Sequence, residues 1–361
     1  MKKRSFKGVV HTVLKILLIL FAVMIVLNVV ILVGVNVSHK KKLKKEMPYL
    51  QKTGQYVEYE GHKIHADVGG NDNSKYTLVF LHSNGIVDDS IALQPLLAKL
   101  SDYRYVYIDR SGYGFSDVGN GSKDLDSMLK EMRDVLAKLE VEGPYVLVPS
   151  GVAGLLASYW AKTCPQEVAG IIGFNMDLPE EFDGITEEQY CGFFNYLMSK
   201  FAKIGGHRLV SSIYPDNIRA VYTEKQMLTR KALISRGYYN DDLYQEDLNT
   251  IANAKKAKEA GVPTDIPILA FVANPLMQPY FDDDESIRRE YEEAIDEVYG
   301  TQTDAAKEVD YVGRFNEEKK AVYGKYSNIE CVEMSGPSRL YTYAVQEVAD
   351  VIHEFMGKVD K

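Results

Sequence analysis

Short apolar runs alternate with helical patterns along most of the chain. Residues 55–68, QYVEYEGHKIHADV, alternate apolar and polar side chains on both sides of Glu60 and Gly61, which predicts a β-hairpin. Six further apolar runs predict strands, at residues 76–81, 105–108, 145–148, 170–174, 267–272 and 329–333. Because helical patterns such as residues 155–163 and 344–356 separate these runs, the sequence predicts a mostly parallel sheet with helices on both faces.

The pattern near the N-terminus is different, because apolar and polar side chains do not alternate there. Residues 16–37 are almost wholly apolar, and about 22 residues rising roughly 1.5 Å each can cross a bilayer core of about 30 Å. The run is longer than the apolar core of a secretory signal. It predicts one uncleaved transmembrane helix, preceded by a basic leader at residues 1–15 and followed by a basic tether at residues 38–54.

This anchor predicts a single-pass membrane protein that contacts membrane lipid. Basic residues flank both of its ends, so the positive-inside rule does not decide its orientation. An N-terminal anchor with a short basic leader resembles a bacterial surface tether. We therefore expect the globular domain to lie outside the cytoplasm.

The composition of the 361 residues narrows the function classes. With 46% hydrophobic residues, the chain can build one large packed core. Its 42 basic and 51 acidic residues give a net charge of −9, which argues against a surface that tracks nucleic-acid phosphates. The cysteines Cys164, Cys191 and Cys331 have neither the pairing of a disulfide framework nor the spacing of a zinc site. We expect no metal, no cofactor and no nucleic-acid partner.

Three segments occur in an order that resembles the α/β-hydrolase fold superfamily. TLVFLHSNG, residues 77–85, resembles the strand and His-Gly-x-Gly turn that supplies an oxyanion-hole amide, and YIDRSGYGFS, residues 107–116, matches D-x-x-G-x-G-x-S. Residues 145–163 resemble the strand and helix around the nucleophile. The chain is thus similar to a membrane-anchored bacterial member. The resemblance implies an α/β-hydrolase core at residues 55–177 and 263–361, with a helical cap insertion at residues 178–262.

The nucleophile position departs from this family pattern. Active members carry G-x-S-x-G between strand and helix, whereas residues 149–154 read PSGVAG. Aligning the strand and the helix-opening Gly154 places Gly151 at the nucleophile position and Ser150 one residue too early. A shifted register would use Ser150 instead, so this residue is the fallback nucleophile.

The base and acid positions depart as well. Family members tend to carry Gly-His after the last strand, and the resemblance puts Pro337 at the position of the histidine. The acid position falls on Asn274 or on Asn175, although Asp177 keeps a carboxylate nearby. Two further histidines, in the predicted hairpin at positions 62 and 65, are expected at the surface. The sequence therefore predicts that the catalytic triad is degenerate.

The other candidate site residues favour ligand binding over catalysis. The resemblance implies oxyanion-hole-like positions at Ser83, Asn84 and Val152. Candidates for a ligand pocket are His82, Tyr190 and Phe194, the last two in a cap whose helical patterns cover residues 187–203 and 224–236.

Two functional hypotheses from different classes follow. In the first, the protein is a degenerate hydrolase that binds a small apolar ligand or a protein partner at the membrane. In the second, it is an active ester or amide hydrolase with a rearranged site that uses Ser150. The absence of histidine between Asn274 and Ile352 favours the first.

Overall fold

The computed structural model describes residues 6–50, 54–119, 121–210, 222–274, 315–336 and 339–359. Its strands are β1 (Gln55–Tyr59), β2 (His62–Gly70), β3 (Thr77–Leu81), β4 (Arg104–Asp109), β5 (Tyr145–Pro149), β6 (Val168–Phe174), β7 (Ile268–Asn274) and β8 (Ile329–Ser335). They form one sheet in the order β1-β2-β4-β3-β5-β6-β7-β8. The pairs β1–β2 and β2–β4 are antiparallel and the others are parallel. The predicted hairpin and mostly parallel sheet are confirmed.

The helices within the described residues are α1 (Phe6–Glu46), α2 (Asp89–Ala92), α3 (Gln94–Lys99), α4 (Leu125–Lys138), α5 (Ala153–Thr163), α6 (Glu187–Tyr190), α7 (Phe193–Lys203), α8 (Glu224–Gly237), α9 (Asp241–Ala260), α10 (residues 315–323), α11 (Leu340–Tyr343) and α12 (Val345–Val359). In β3, Val79 and Leu81 pack with α4 and α5, whereas Leu78 and Phe80 pack with α3 and α12. Both faces of the sheet are therefore covered, which explains why the strands read as continuous apolar runs.

The chain between β6 and β7, residues 178–262, is called the β6–β7 segment below. Its described part contains α6 to α9 and short 3₁₀ turns at Pro179–Phe182 and Gly206–Leu209. The predicted helix at residues 187–203 is present with a break at Cys191 and Gly192. The end of α9 is not separate from the core, because Ala254 and Ala257 belong to the same apolar cluster as the α5 side chains.

Helix α1 runs without a break from Phe6 to Glu46, through the described part of the predicted leader, the predicted anchor and the predicted tether as far as Glu46. It is long and apolar enough to cross a membrane. Its most apolar stretch has a mean hydropathy of 3.4, and 0% of that stretch is buried inside the protein. After α1, a 3₁₀ turn at Met47–Leu50 brings the buried Leu50 into a cluster with Met227 and Leu233 of α8. The residues predicted as a basic tether are thus helical up to Glu46 and contact the globular domain.

The prediction that both hairpin histidines lie at the surface is wrong for His65. Its side chain is fully buried, and its Nδ1 lies 2.8 Å from Asp109 Oδ2 on β4. His62 is half-buried, with its Nε2 2.7 Å from Ser111 Oγ. The alternation within the hairpin could not reveal this, because burial comes from the pairing of β2 with β4.

Candidate functional site

The turn between β5 and α5 consists of Ser150, Gly151 and Val152. Two neighbouring strands hold it, because the Ser150 N–H donates to the Leu81 carbonyl at 3.0 Å and the Gly151 N–H donates to the Phe174 carbonyl at 3.0 Å. The positive φ of 50° falls on Gly151. A strained residue in a strand-to-helix turn is what a nucleophile elbow requires. This turn therefore has the backbone of an elbow with glycine at the strained position.

The side chain of Ser83 fills the space beside Gly151. A β-carbon added to Gly151 would lie 2.6 Å from Ser83 Oγ and 3.3 Å from Ser83 Cβ. Both distances are shorter than an ordinary van der Waals contact of about 3.5–4.0 Å. A side chain at position 151 thus requires Ser83 to move. The family pattern has glycine at position 83, so the two departures from that pattern fit each other.

No histidine contacts the elbow, and all seven histidines lie in the described residues. His11 is exposed on α1. The other histidines contact the following groups: His39 the Arg208 guanidinium, His62 the Ser111 hydroxyl, His65 the Asp109 carboxylate, His82 the Arg110 N–H, His207 the Ala202 carbonyl and His353 the Tyr103 hydroxyl. Ser150 is half-buried, and its hydroxyl has no hydrogen-bond partner in the described part of the chain. No imidazole is therefore placed to accept its proton.

Each candidate for the acid position holds a structural contact. The Asn175 Oδ1 accepts a hydrogen bond from the Ala273 N–H at 2.8 Å, and the Asn274 Nδ2 donates to Glu333 Oε1 at 2.7 Å. Asp177 pairs with Lys319 Nζ at 2.7 Å.

Lys319, the partner of Asp177, lies on α10. Its side chain is only 1% exposed and also pairs with Glu181 at 2.7 Å. Burial alone would lower the pKa of Lys319, but the carboxylates of Asp177 and Glu181 raise it above its ordinary value. Lys319 is therefore a charged partner of both carboxylates.

The predicted base position, Pro337, lies outside the described residues. Two residues further on, Arg339 Nη2 lies 2.8 Å from Asp88 Oδ1, and Arg230 Nε of α8 lies 2.7 Å from Asp88 Oδ2. Burial would raise the pKa of Asp88, yet the two guanidinium groups hold it below its ordinary value. We call Asp88, Arg230 and Arg339 the Asp88 cluster. It joins the loop after β3, the chain after β8 and the β6–β7 segment.

Asp89 lies beside this cluster and accepts a hydrogen bond from the Tyr341 hydroxyl at 2.8 Å. Burial raises the pKa of Asp89 to about 6. Neither aspartate was predicted as a site residue. The sequence does contain a signal for them, since two adjacent acidic residues interrupt the mostly apolar pattern IVDDSIAL at residues 86–93.

The predicted oxyanion turn contacts the β6–β7 segment through Asn84. Asn84 Nδ2 donates to Asp247 Oδ1 at 2.8 Å and to the Tyr190 hydroxyl at 3.3 Å. The backbone N–H groups of Ser83, Asn84 and Val152 have no acceptor within the described residues. They can therefore donate to an oxygen atom of a ligand.

The three pocket candidates do not lie together. Tyr190 contacts Asn84 as described, whereas Phe194 is 71% exposed on α7. His82 is buried, its ring lies 4.1 Å from that of Tyr113, and its Nε2 accepts from the Arg110 N–H at 3.2 Å. Burial, together with the Arg110 charge, lowers the pKa of His82 to about 3. His82 is therefore a neutral structural acceptor.

Sequence reasoning also missed an ion pair that fixes α9 to the chain after β4. Arg110 Nη2 lies 2.8 Å from Glu246 Oε1, and both side chains are almost fully buried. The Tyr113 hydroxyl donates to the other oxygen of Glu246 at 2.8 Å. The D-x-x-G-x-G-x-S segment therefore positions the β6–β7 segment over the elbow edge of the sheet.

Comparisons with known proteins agree with this architecture. No family model matches the chain. The uncharacterized protein YbdG of Bacillus subtilis is 26% identical over 357 residues, which are 96% of this chain and 99% of that protein. Among solved structures, a candidate lipase from Acinetobacter baumannii AYE has a TM-score of 0.55 at 14% identity and covers 89% of this chain and 96% of its own. A candidate epoxide hydrolase from Pseudomonas aeruginosa has a TM-score of 0.57 at 11% identity, covering 85% and 97%. The chain has the α/β-hydrolase fold.

Proposed function

We propose that the protein is a membrane-anchored binding protein in which the hydrolytic triad is degenerate. The observation that carries this proposal is the elbow, where glycine has the positive φ and Ser83 fills the space that a nucleophile needs. The contacts of the seven histidines support it. Without a nucleophile and a base, acyl transfer of the Ser-His-acid type has no first step.

The preserved parts of the site favour a small ligand. The N–H groups of Ser83, Asn84 and Val152 can donate to a carbonyl or carboxylate oxygen. The β6–β7 segment would act as the cap, since Tyr190 and Asp247 connect it to Asn84. We infer a largely apolar ligand with one such oxygen, bound between cap and elbow. A protein partner at the membrane is the alternative.

A fluorophosphonate probe tests the loss of hydrolysis. Full-length wild type and the Ser150→Ala variant, both in detergent, are expected to remain unlabelled and to show equal background turnover of a short activated ester. An active serine hydrolase in the same detergent is the positive control. Residual turnover alone decides nothing, because oxyanion-type donors without a triad can still accelerate a reaction by about 10³ to 10⁴ over water.

Stoichiometric labelling of the wild type that disappears in Ser150→Ala would establish the second hypothesis. Ser150 would then be the nucleophile of an active ester or amide hydrolase, and the assignment of Gly151 to the nucleophile position would be off by one residue. The labelled peptide, identified by mass spectrometry, distinguishes Ser150 from any other serine.

The membrane anchor is part of the same proposal. We propose that α1 spans the bilayer at residues 16–37, that it is not cleaved, and that the globular domain lies outside the cytoplasm. The full-length protein should stay with membranes during alkaline extraction and retain its N-terminal residues. Protease added to intact cells should degrade the domain. Extraction into the soluble fraction, a processed N-terminus or a domain protected until lysis would each contradict one of these three statements.

A further inference from the structure

The junction between α1 and the β6–β7 segment is built as a fixed contact. Arg208 Nε donates to His39 Nδ1 at 2.8 Å, and its two terminal nitrogens donate to the Glu46 carboxylate at 2.8 and 2.6 Å. His39 and Glu46 are seven residues apart, so they lie on one face of α1, two turns from each other. Burial, with help from the Arg208 charge, lowers the pKa of His39, which keeps its imidazole a neutral acceptor.

Close backbone approach makes this contact rigid. A β-carbon added to Gly205 would overlap the side chain of His39, so the chain can approach α1 this closely only because residue 205 is glycine. His39 itself is only 9% exposed and lies against the ring of His207. The 3₁₀ turn at Gly206–Leu209 therefore cannot move away from α1 without breaking this packing.

The position of this contact along α1 sets its depth in a membrane. The apolar run ends at Val37, and His39 is two residues further along, or about 3 Å at the rise of an α-helix. If residues 16–37 span the bilayer, as the proposed function states, the turn at Gly206–Leu209 lies at the edge of the hydrocarbon. The Leu209 side chain is 69% exposed there.

Helix α7 extends this apolar surface. The ring of Phe201 on α7 packs against Gly206, which places α7 beside the turn. Phe193 and Phe194 are 73% and 71% exposed, and Leu197, one turn after Phe193, is 47% exposed. Neighbouring large apolar side chains at this level of exposure form the kind of patch that marks an interaction site.

The surrounding charge matches a lipid headgroup region. Exposed lysines follow the apolar run on α1, at Lys40, Lys41, Lys42, Lys44 and Lys45. Lys200 lies on α7 next to the apolar side chains, with its Nζ 5.0 Å from the Tyr196 ring. Apolar side chains next to a basic rim are typical of helices that lie in the interface of an anionic bilayer.

We propose that the exposed apolar surface of α7 and the adjoining turn, formed by Phe193, Phe194, Leu197 and Leu209, inserts into the interface of the bilayer that α1 crosses. This inference rests on the proposed anchoring. The occupant is the bilayer itself, because the Arg208 junction holds the turn, and the end of α7 at Phe201, next to the end of the apolar run on α1 without any further binding event. The β6–β7 segment is then a second membrane contact of the protein.

Tryptophan quenching by lipids tests the proposal with the full-length protein. The wild type has one tryptophan, Trp160, which is fully buried in the domain core and supplies a constant background. The variants Phe194→Trp, Leu27→Trp in the apolar run and Glu142→Trp are reconstituted into vesicles of phosphatidylcholine and phosphatidylglycerol. Glu142 is exposed just before β5, at the opposite end of that strand from the elbow. Half of each set of vesicles contains a mixture of lipids brominated near the top and near the end of the acyl chains, so that quenchers lie both at the interface and at the bilayer centre.

The added emission of Phe194→Trp and Leu27→Trp should be largely lost in brominated vesicles, and that of Glu142→Trp should be unchanged. Quenching of Leu27→Trp without quenching of Phe194→Trp would overturn this inference and leave the anchor intact. Equal quenching of Phe194→Trp and Glu142→Trp would overturn it too, because the contact would not be specific to this surface. Absence of quenching at Leu27→Trp would refute the anchoring proposal and this inference together.

Discussion

The elbow and the Asp88 cluster lie at the same edge of the sheet but differ in how their residues are held. At the elbow, Gly151 has no side chain and the Ser150 hydroxyl has no hydrogen-bond partner within the described residues. In the cluster, the buried Asp88 pairs with the buried Arg230 and the half-buried Arg339, and the three residues come from three separate parts of the chain. The residues at the nucleophile turn have a small side chain or one without a hydrogen-bond partner within the described residues. The residues of the Asp88 cluster, which connect the loops, are charged and form ion pairs. The difference agrees with the proposed loss of the triad.

The largest effect is expected from breaking the Asp88 cluster. Asp88→Ala should lower the free energy of unfolding by about 3–5 kcal/mol, because Arg230 would remain buried without its partner. Urea unfolding in detergent, followed by the fluorescence of the buried Trp160, measures it. The control is Asp134→Ala, which removes an exposed pair with Lys130 and should change stability by less than about 1 kcal/mol. Equal effects of the two variants would show that water screens the cluster.

Unfolding measured over a series of pH values should distinguish two buried titratable groups, His82 and Asp89, in the chain after β3. The folded pKa of His82 is about 3, below the ordinary 6.5. Its stabilising contribution is complete above pH 6.5 and is lost as the pH falls, by at most about 1.4 kcal/mol per pH unit. Relative to wild type, His82→Gln should therefore gain stability from pH 6.5 down to 4. Ser101→Ala, at an exposed position whose side chain does not titrate in this range, is the control and should show no such trend.

Asp89 should show the opposite trend. Its folded pKa of about 6 lies above the ordinary 3.8, so folding disfavours its charge, and this penalty is relieved as the pH falls through 6. Asp89→Asn should be more stable than wild type at pH 7, with the advantage shrinking towards pH 4. Parallel pH profiles for the two variants would show that burial does not control either group.

The smallest effect is expected at the elbow. Gly151→Ser should reduce stability by about 1–3 kcal/mol, through positive-φ strain and overlap with Ser83. Adding Ser83→Gly should recover at least about 0.5 kcal/mol of that loss, measured as the coupling in a double-mutant cycle. Gly121→Ser, where a β-carbon meets open space, is the control. Strict additivity would mean that Ser83 does not restrict position 151.

The sequence predicted the elements of the fold because each strand carries its own apolar run. The six runs and the hairpin correspond to β1 to β8 within two residues at each end. The Asp88 cluster was not predictable in this way, since Asp88, Arg230 and Arg339 are separated by more than 100 residues each and no local pattern connects them.

For the candidate site, the sequence predicted the course of the backbone but not the packing of its side chains. The strand-to-helix pattern located the turn at Ser150 and Gly151, but packing of Ser83 against Gly151 depends on two strands that are adjacent only in the sheet. His65 was misjudged for the same reason, because its partner Asp109 lies on β4. The assignment of catalytic positions remains a prediction until the labelling experiment is done.

The unbroken helix α1 has a mechanical consequence. A flexible linker would let a tethered domain rotate freely. Helix α1 is continuous and Arg208 fixes it to the β6–β7 segment, so that its proposed transmembrane part and this segment would move as one rigid unit. Helices tilt when their apolar length exceeds the thickness of the bilayer. In this molecule, such a tilt would turn the globular domain by the same angle, so that bilayer thickness would set the direction in which the elbow faces.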